Sequence, residues 1–297
     1  MSKPARIISL LEHLLPPAER LGIETPDGLL RLYAGIGLAA SGANDLLSDC
    51  EGVEAARSHY ALLRRQALAE DADALNDLGW LWLNGRWLPG DPGKAYRLFK
   101  LAVALGSAQA LFNLGEQYYY GKGVAVGLAL ANDYYELAWE RGVIPAARAL
   151  GGLLEERARE RCADPARAAE WYRRAASEGD GDAALLLGNL LLDEALGCLD
   201  EMQGTWWLQV AAAQGCMVAA ERLAHFFAGG FRFPDPQRYL YRLWRDHALR
   251  MGSSLAREMK TLDDAERVSD SGGLDGFFVP GVGCGFRWSN GREDDAT

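Results

Sequence analysis

Several features are scarce in this chain of 297 residues, and each scarcity argues against a class of protein. Acidic residues outnumber basic ones by 41 to 31, and no cluster of Lys and Arg forms a basic stripe, so nucleic acid is not expected as a ligand. No apolar run reaches the ~18 residues that a membrane-spanning helix needs, so membrane insertion is not predicted. The first 20 residues lack a signal peptide's long apolar region, and we therefore expect a cytoplasmic protein.

Cysteine is also sparse, and its placement fits no metal or disulfide framework. The five cysteines are Cys50, Cys162, Cys198, Cys216 and Cys284. Their spacing matches no zinc pattern. Cys198 and Cys216 are predicted at opposite ends of one helical unit, about 18–20 Å apart, which is too far for a disulfide. All five are expected to be reduced, in agreement with a cytoplasmic location.

Catalytic motifs are missing as well. Glu221 and His225 lie one helical turn apart, and His247 is in the next predicted helix, but a solvated or capped set is a simpler interpretation than a metal site. The glycine-rich stretch 281–285 lacks the preceding strand and following helix of a dinucleotide loop. We therefore predict no enzyme activity, no cofactor and no metal.

A repeat of about 36 residues is the main feature that the chain does contain. Leu-Gly pairs, the last of them degenerate, recur in steps of 36, 36, 37 and 36 residues: Leu78-Gly79, Leu114-Gly115, Leu150-Gly151, Leu187-Gly188 and Leu223-Ala224. Glycines that mark the unit ends keep the same register: Gly106, Gly142, Gly179, Gly215 and Gly252. A fixed period of this length indicates stacked units, none of which can bury its apolar face alone.

The residue types of the repeat predict pairs of closely packed helices, because axes about 8–10 Å apart need small residues where they touch. The unit-end glycines are expected to stop helices in a left-handed conformation. Asp91-Pro92, Asp164-Pro165 and Asp235-Pro236 are interpreted as an N-cap followed by the first helical residue. Large residues eight positions before each unit-end glycine are predicted to fill the core: Leu98, Tyr134, Trp171, Trp207 and Trp244.

At these positions the chain resembles the Sel-one-like repeat (SLR) family, which is related to the tetratricopeptide repeats. The first half of the family unit is matched by Ala110, Leu114, Gly115, Tyr118, Gly121, Gly123 and Val124. The second half is matched by Ala168, Trp171, Tyr172, Ala175, Ala176 and Gly179. The resemblance covers about residues 55–256. It implies an all-α fold, namely an α-solenoid of stacked antiparallel helix pairs.

The pattern divides the chain into three regions. Residues 1–52 are predicted to form an N-terminal helical cap with a degenerate first helix at 26–40, and residues 53–256 the repeat solenoid. Residues 257–297 are predicted to hold the end of a capping helix and then a tail rich in glycine and aromatic residues. We expect this tail to dock on the solenoid, either as a competitor of a partner or as a permanent cap.

In solenoids of this kind the first helix of each pair lines the concave side, so its outward positions are expected to meet a partner. By register these positions are Asn76, Asp77, Trp80, Asn113, Glu116, Gln117, Tyr120, Arg148, Asn189 and His225. Amides, acids and aromatics together suit a peptide or a protein loop. Trp80 and Tyr120 are the strongest candidates as anchors, since aromatic residues dominate interfaces. Ordinary solvated helix faces are the alternative interpretation.

The sequence is compatible with three functions. The first is a non-enzymatic scaffold or adaptor that holds another protein or peptide on its concave face, which follows from the family resemblance and the missing catalytic set. The second is a dedicated immunity protein or chaperone for one toxin or secreted effector. The third is a hydrolase, but the serine-x-x-lysine motif that β-lactam hydrolysis uses does not occur.

Overall fold

The computed structural model describes residues 11–20, 53–85, 88, 90–160, 164–197, 199–228 and 238–271. Within these ranges the regular structure is helical, and no β-strand is present, so the all-α prediction is confirmed. Residues 11–14 are helical, and from residue 53 onward the described ranges contain twelve α-helices: α1 Val53–Leu68, α2 Ala72–Asn84, α3 Pro92–Ala104, α4 Ala108–Tyr120, α5 Leu128–Glu140, α6 Ile144–Arg159, α7 Pro165–Ser177, α8 Gly181–Leu191, α9 Glu201–Ala213, α10 Met217–Ala228, α11 Tyr239–Arg250 and α12 Ser254–Ser271. The predicted helix at 26–40 and the glycine-rich tail lie outside the described residues.

The helices pack in consecutive pairs, as an α-solenoid requires. Helix α2 packs against α3, α4 against α5, α6 against α7, α8 against α9, and α10 against α11. Each second helix of a pair also packs against the first helix of the next pair, and α12 closes the series against α11. Because the main contacts join neighbours along the chain, stability is expected to be distributed over nearest-neighbour interfaces.

The residues predicted to start and stop the helices act as expected in most units. The Asp91 carboxylate accepts from the amide of Lys94, and that of Asp164 accepts from the amide of Ala166, with proline in the first turn of each helix. All five unit-end glycines have positive φ, between 86° and 104°. Asp235-Pro236 lies outside the described residues, and helix α11 begins further along, at Tyr239.

Close contact between paired helices depends on the glycine of the Leu-Gly pair. A β-carbon at Gly115 would lie 2.5 Å from the ring of Tyr135, and one at Gly151 would lie 2.5 Å from the ring of Tyr172. Real β-carbons do not approach other atoms so closely, and glycine is therefore required at these crossings. Phe99 packs on Gly79 and Leu208 on Gly188 in the same way.

The prediction that residues eight positions before the unit-end glycines fill the core is only partly right. Leu98 and Trp207 are buried, but Tyr134, Trp171 and Trp244 are only half-buried. The next position along the helix is the one directed at the glycine of the first helix. Successive residues on a helix are turned by about 100°, so a shift of one residue exchanges a core position for a flanking one.

Candidate functional site

All ten predicted partner-binding residues lie on α2, α4, α6, α8 and α10, the first helices of the five pairs. We call the side of the molecule formed by these helices the first-helix face. The structure separates the ten residues into two groups. Four of them are buried inside the face, whereas six retain exposed surface.

The four buried residues hold helices together, and their assignment to a partner contact is corrected. Asn113 Nδ2 donates to Asn76 Oδ1 at 2.8 Å, joining α4 to α2. Gln117 is 0% exposed, and its Nε2 donates to the carbonyl oxygens of Pro92 and Lys122. Trp80 is buried as well. Helices α2 and α4 are in direct contact where Asn76 and Asn113 meet, which repeat spacing alone could not reveal.

The other six residues remain accessible on the first-helix face. Tyr120 is 50% exposed, and His225 is also exposed. The remaining four are half-buried: Asp77, Glu116, Arg148 and Asn189. Burial raises the pKa of Asp77 to about 6, while its hydrogen bond with Asn76 opposes this effect. Contact of these six residues with a partner stays a prediction.

Two carboxylates of the face are held by tyrosines that come from the second helices. Tyr135 Oη donates to Glu116 Oε1 at 2.6 Å, and Tyr172 Oη donates to Glu155 Oε2 at 2.8 Å. Each ring crosses the Leu-Gly glycine of the first helix, which brings its hydroxyl near the opposite surface. Burial raises the pKa of Glu116, and the bond from Tyr135 counteracts it.

Arginine side chains connect successive first helices. Arg148 Nη1 lies 2.5 Å from Asp182 Oδ2, and its Nε lies 3.2 Å from Asp180 Oδ2. Arg159 Nη2 lies 2.8 Å from Glu155, and its Nη1 lies 3.0 Å from Asp193. These two arginines of α6 therefore fix the position of the start and the end of α8.

An open cavity of about 400 Å³ lies where α6, α8 and α10 meet. It is lined by Arg159, Asn189, Leu192, Asp193, Glu194, Arg222, His225 and Phe226. The structure thus brings together Asn189 and His225, two predicted residues from successive units. Sequence reasoning missed Arg159, Arg222 and Phe226. Arg159 and Arg222 carry a charged group on a first helix, which is a usable signal, but nothing in the sequence places Phe226 at the same opening.

The residues considered as metal ligands do not converge. Glu221 accepts a hydrogen bond from Ser253, whereas the His247 ring packs edge-on against Trp244, and His225 lines the cavity. In the part of the chain that the structure describes, no three His, Cys, Asp or Glu side chains are arranged to hold a metal ion. Cys216 is the only cysteine within that part, and it is free. No described helix is both long and apolar enough to cross a membrane.

Stacked helix pairs with glycine-crossing aromatics define a repeat α-solenoid, and comparison with known proteins identifies four of its units. Residues 72–107, 108–143, 144–180 and 181–216 each match the Sel1 repeat. The resemblance predicted from the sequence is therefore confirmed for these four units. Sel1 repeats typically mediate protein–protein interactions.

Solved structures agree with this assignment. A Sel1 repeat protein from Oxalobacter formigenes is 25% identical, with a TM-score of 0.56 over 73% of this chain and 86% of its own. The protective antigen c5321 of uropathogenic Escherichia coli, which displays an SLR fold, is 22% identical, with a TM-score of 0.55 over 85% of this chain and 54% of its own. The second similarity shows the fold alone.

One curated relative is similar over a shorter stretch. The uncharacterized protein NMB1327 of Neisseria meningitidis is 34% identical over 104 residues. That stretch is 35% of this chain and 21% of the relative, so the chain matches only about a fifth of that protein's length. The similarity assigns no activity.

Proposed function

We propose that this protein is a non-catalytic adaptor that binds a segment of another protein along its first-helix face, between Tyr120 and His225. One observation carries the proposal: Asn189 and His225, from successive units, line the same open cavity. An amide, an imidazole and the apolar side chain of Phe226 at one opening can accept a side chain of a peptide and also its polar backbone.

The rest of the face supports the same function. Tyr120 presents half of its surface to solvent at the C-terminal end of α4, and exposed tyrosines are effective anchors because they bury a large area with few rotatable bonds. The carboxylates of Glu116 and Glu155 are already held by core tyrosines. Groups fixed in this way lose little conformational entropy when a partner binds.

The binding face is tested with two variants of the full chain, Tyr120→Ala and His225→Ala, alone and combined. Affinity purification from cells that naturally produce the protein gives the reference set of partners. We expect the double variant to recover a first-helix-face partner at least about tenfold less efficiently, as the loss of two interface anchors implies. Recovery of one stoichiometric partner indicates a dedicated immunity or chaperone role, and recovery of several indicates a general adaptor.

The matched control is Leu137→Ala. Leu137 is 44% exposed and lies on the second helix α5, outside the cavity. Its substitution removes exposed apolar surface away from the first-helix face, and partner recovery should equal that of the parent. If the double variant recovers every partner as the parent does, the proposed binding face is wrong.

A further inference from the structure

The opposite side of the molecule, formed by the second helices, exposes large apolar side chains in its C-terminal half. On α9, Met202 is 74% exposed and Trp206 is 53% exposed. Leu243 on α11 is exposed, and Trp171 on α7 and Trp244 on α11 are half-buried. Exposed apolar residues that lie on neighbouring helices, rather than singly, commonly mark an interaction site.

Open grooves lie beside these side chains. The groove between α7 and α9 has a volume of about 430 Å³ and is lined by Arg173, Met202, Gln203, Trp206 and Trp207. The groove between α9 and α11 has a volume of about 200 Å³ and is lined by Ala213, Leu243, Trp244, His247 and Arg250. A third, of about 390 Å³, surrounds Trp171 and Arg174 on α7. Each groove combines a tryptophan with at least one arginine, residue types that dominate binding energy at protein interfaces.

Helices α7, α9 and α11 carry a small positive charge, whereas the chain as a whole is acidic. Leaving aside Arg245, which is buried in an ion pair with Asp263, their helical residues include five arginines and three acidic residues. The chain as a whole has a net charge of −10. The Arg174 guanidinium lies 4.6 Å from the centre of the Trp171 ring, so cation and aromatic surface are presented together.

Helix α5, on the same side of the molecule, provides an internal comparison. It exposes Leu130 and Leu137, but it carries three acidic residues and no basic one. Apolar exposure is therefore shared with α5, whereas grooves that combine tryptophan with arginine lie on α7, α9 and α11.

We propose that α7, α9 and α11 form a second binding surface, the tryptophan–arginine face, for an acidic segment of another protein that carries large apolar side chains. The apolar side chains enter the grooves beside Trp206 and Trp244. The carboxylates pair with Arg250 and with Arg173 and Arg174, where they replace the exposed ion pairs that both arginines make with Glu170. The two sets of residues are on opposite helices of each pair, so this surface is independent of the first-helix face. An adaptor with both surfaces can hold two proteins at once.

The experiment selects phage-displayed random peptides on the immobilised full-length protein. Enriched sequences should combine Asp or Glu with Trp, Phe or Leu, and a synthetic copy should bind the protein in fluorescence anisotropy. Trp206→Ala should weaken that binding about tenfold, and Arg173→Glu combined with Arg174→Glu should weaken it further, because charge attraction becomes repulsion. Trp206 is half exposed, so its substitution should leave the melting temperature close to that of the parent.

Two control variants separate this proposal from the proposed function. Leu137→Ala removes an exposed apolar residue of α5 and should leave peptide binding unchanged, as should Tyr120→Ala on the first-helix face. The inference is overturned if no peptide is enriched, if enriched peptides are basic, or if Trp206→Ala does not weaken binding. It is also overturned if a photo-crosslinker at position 206 reacts with residues 272–297 of the same chain or with a second copy, since the surface then already has an occupant.

Discussion

Trp171 and Tyr172 are adjacent in the sequence, but they contribute to opposite faces of the molecule. The Tyr172 ring is buried over Gly151, and its hydroxyl reaches Glu155 on the first-helix face. Trp171 packs edge-on against Trp139 of α5 and remains half-buried on the other side, next to Arg174. One second helix therefore supplies the core, orients the first-helix face and presents a surface of its own.

Aromatic identity alone therefore does not mark the core of this repeat. What decides burial is the position relative to the small residue of the preceding helix. In four units the side chain seven residues before the unit-end glycine crosses the first helix, and the last unit has an arginine at this position: Phe99, Tyr135, Tyr172, Leu208 and Arg245. Only the last member is charged, and it is satisfied by an acidic partner on α12.

The largest expected effect is the difference between the two neighbours when each is replaced by alanine. Tyr172→Ala should lower the free energy of unfolding by about 3–5 kcal/mol, because it leaves a cavity over Gly151 and deprives Glu155 of a donor. Trp171→Ala, at a half-buried position, should cost about 1–2 kcal/mol, less than the loss of a fully buried aromatic. Denaturant unfolding monitored by circular dichroism measures both. Equal costs for the two variants would contradict the assignment of their roles.

The last unit tests whether the same position tolerates a charge only when it is paired. Arg245 is buried, and it contacts Asp263 of α12, which is also buried. Asp263→Ala should cost about 1.5–3 kcal/mol, since the buried Arg245 loses one charged partner and keeps only Asp246, whose Oδ1 lies 2.7 Å from its Nη2. The combined change Arg245→Leu with Asp263→Leu should recover much of this loss, because an apolar pair needs no counter-charge. A double variant as unstable as Asp263→Ala would argue against this explanation.

A smaller effect isolates the hydroxyl that links the core to the first-helix face. Tyr172→Phe retains the ring over Gly151 but removes the bond to Glu155, and it should cost about 1–2 kcal/mol, as expected for a hydrogen bond to a charged group. Its matched control is Tyr134→Phe, at a half-buried ring of α5 that is stacked on Tyr118. A control that destabilises more than Tyr172→Phe would mean that the link to Glu155 contributes little.

The smallest expected effect is a pH dependence of stability that comes from Asp77 on the first-helix face. Asp77 has a pKa raised from 3.8 to about 6 by burial, so its proton is bound more tightly in the folded than in the unfolded protein. Its contribution to stability is therefore complete below about pH 4 and is lost as pH rises through about 6. Asp77→Asn should then raise stability by about 1 kcal/mol at pH 7 and by much less at pH 4. Melting curves at both values test this, and a gain confined to pH 4 would have the wrong sign.

Much of the fold was predictable because residues that restrict helix packing and helix ends recur at the same positions in each unit. Small residues at fixed spacing predicted close helix pairs, and the unit-end glycines and the Asp91 and Asp164 caps gave most helix ends correctly. The sequence pattern could not show which of Trp171 and Tyr172 is buried in the core, because both are aromatic and adjacent helix positions can differ between core and surface. Only the position of Gly151 against the ring decides it.

The candidate site was predictable to a lesser degree. Register placed all ten residues on the first helices, but it could not show that α2 and α4 touch and bury Asn76 and Asn113. The cavity depends on how three helices converge, which is a property of tertiary packing rather than of any single unit. Arg159 illustrates this, since it reaches Asp193 beyond the end of α8.

Binding of another protein to the first-helix face is tested most directly by photo-crosslinking in the cells that produce the protein. A photo-reactive amino acid replaces Tyr120 in one variant, His225 in a second and Leu137 of the second helix α5 in a third, and adducts are identified by mass spectrometry. We expect positions 120 and 225 to crosslink the same partner protein and position 137 not to do so. Absence of a partner adduct at both first-helix positions, in a correctly folded protein, would contradict it.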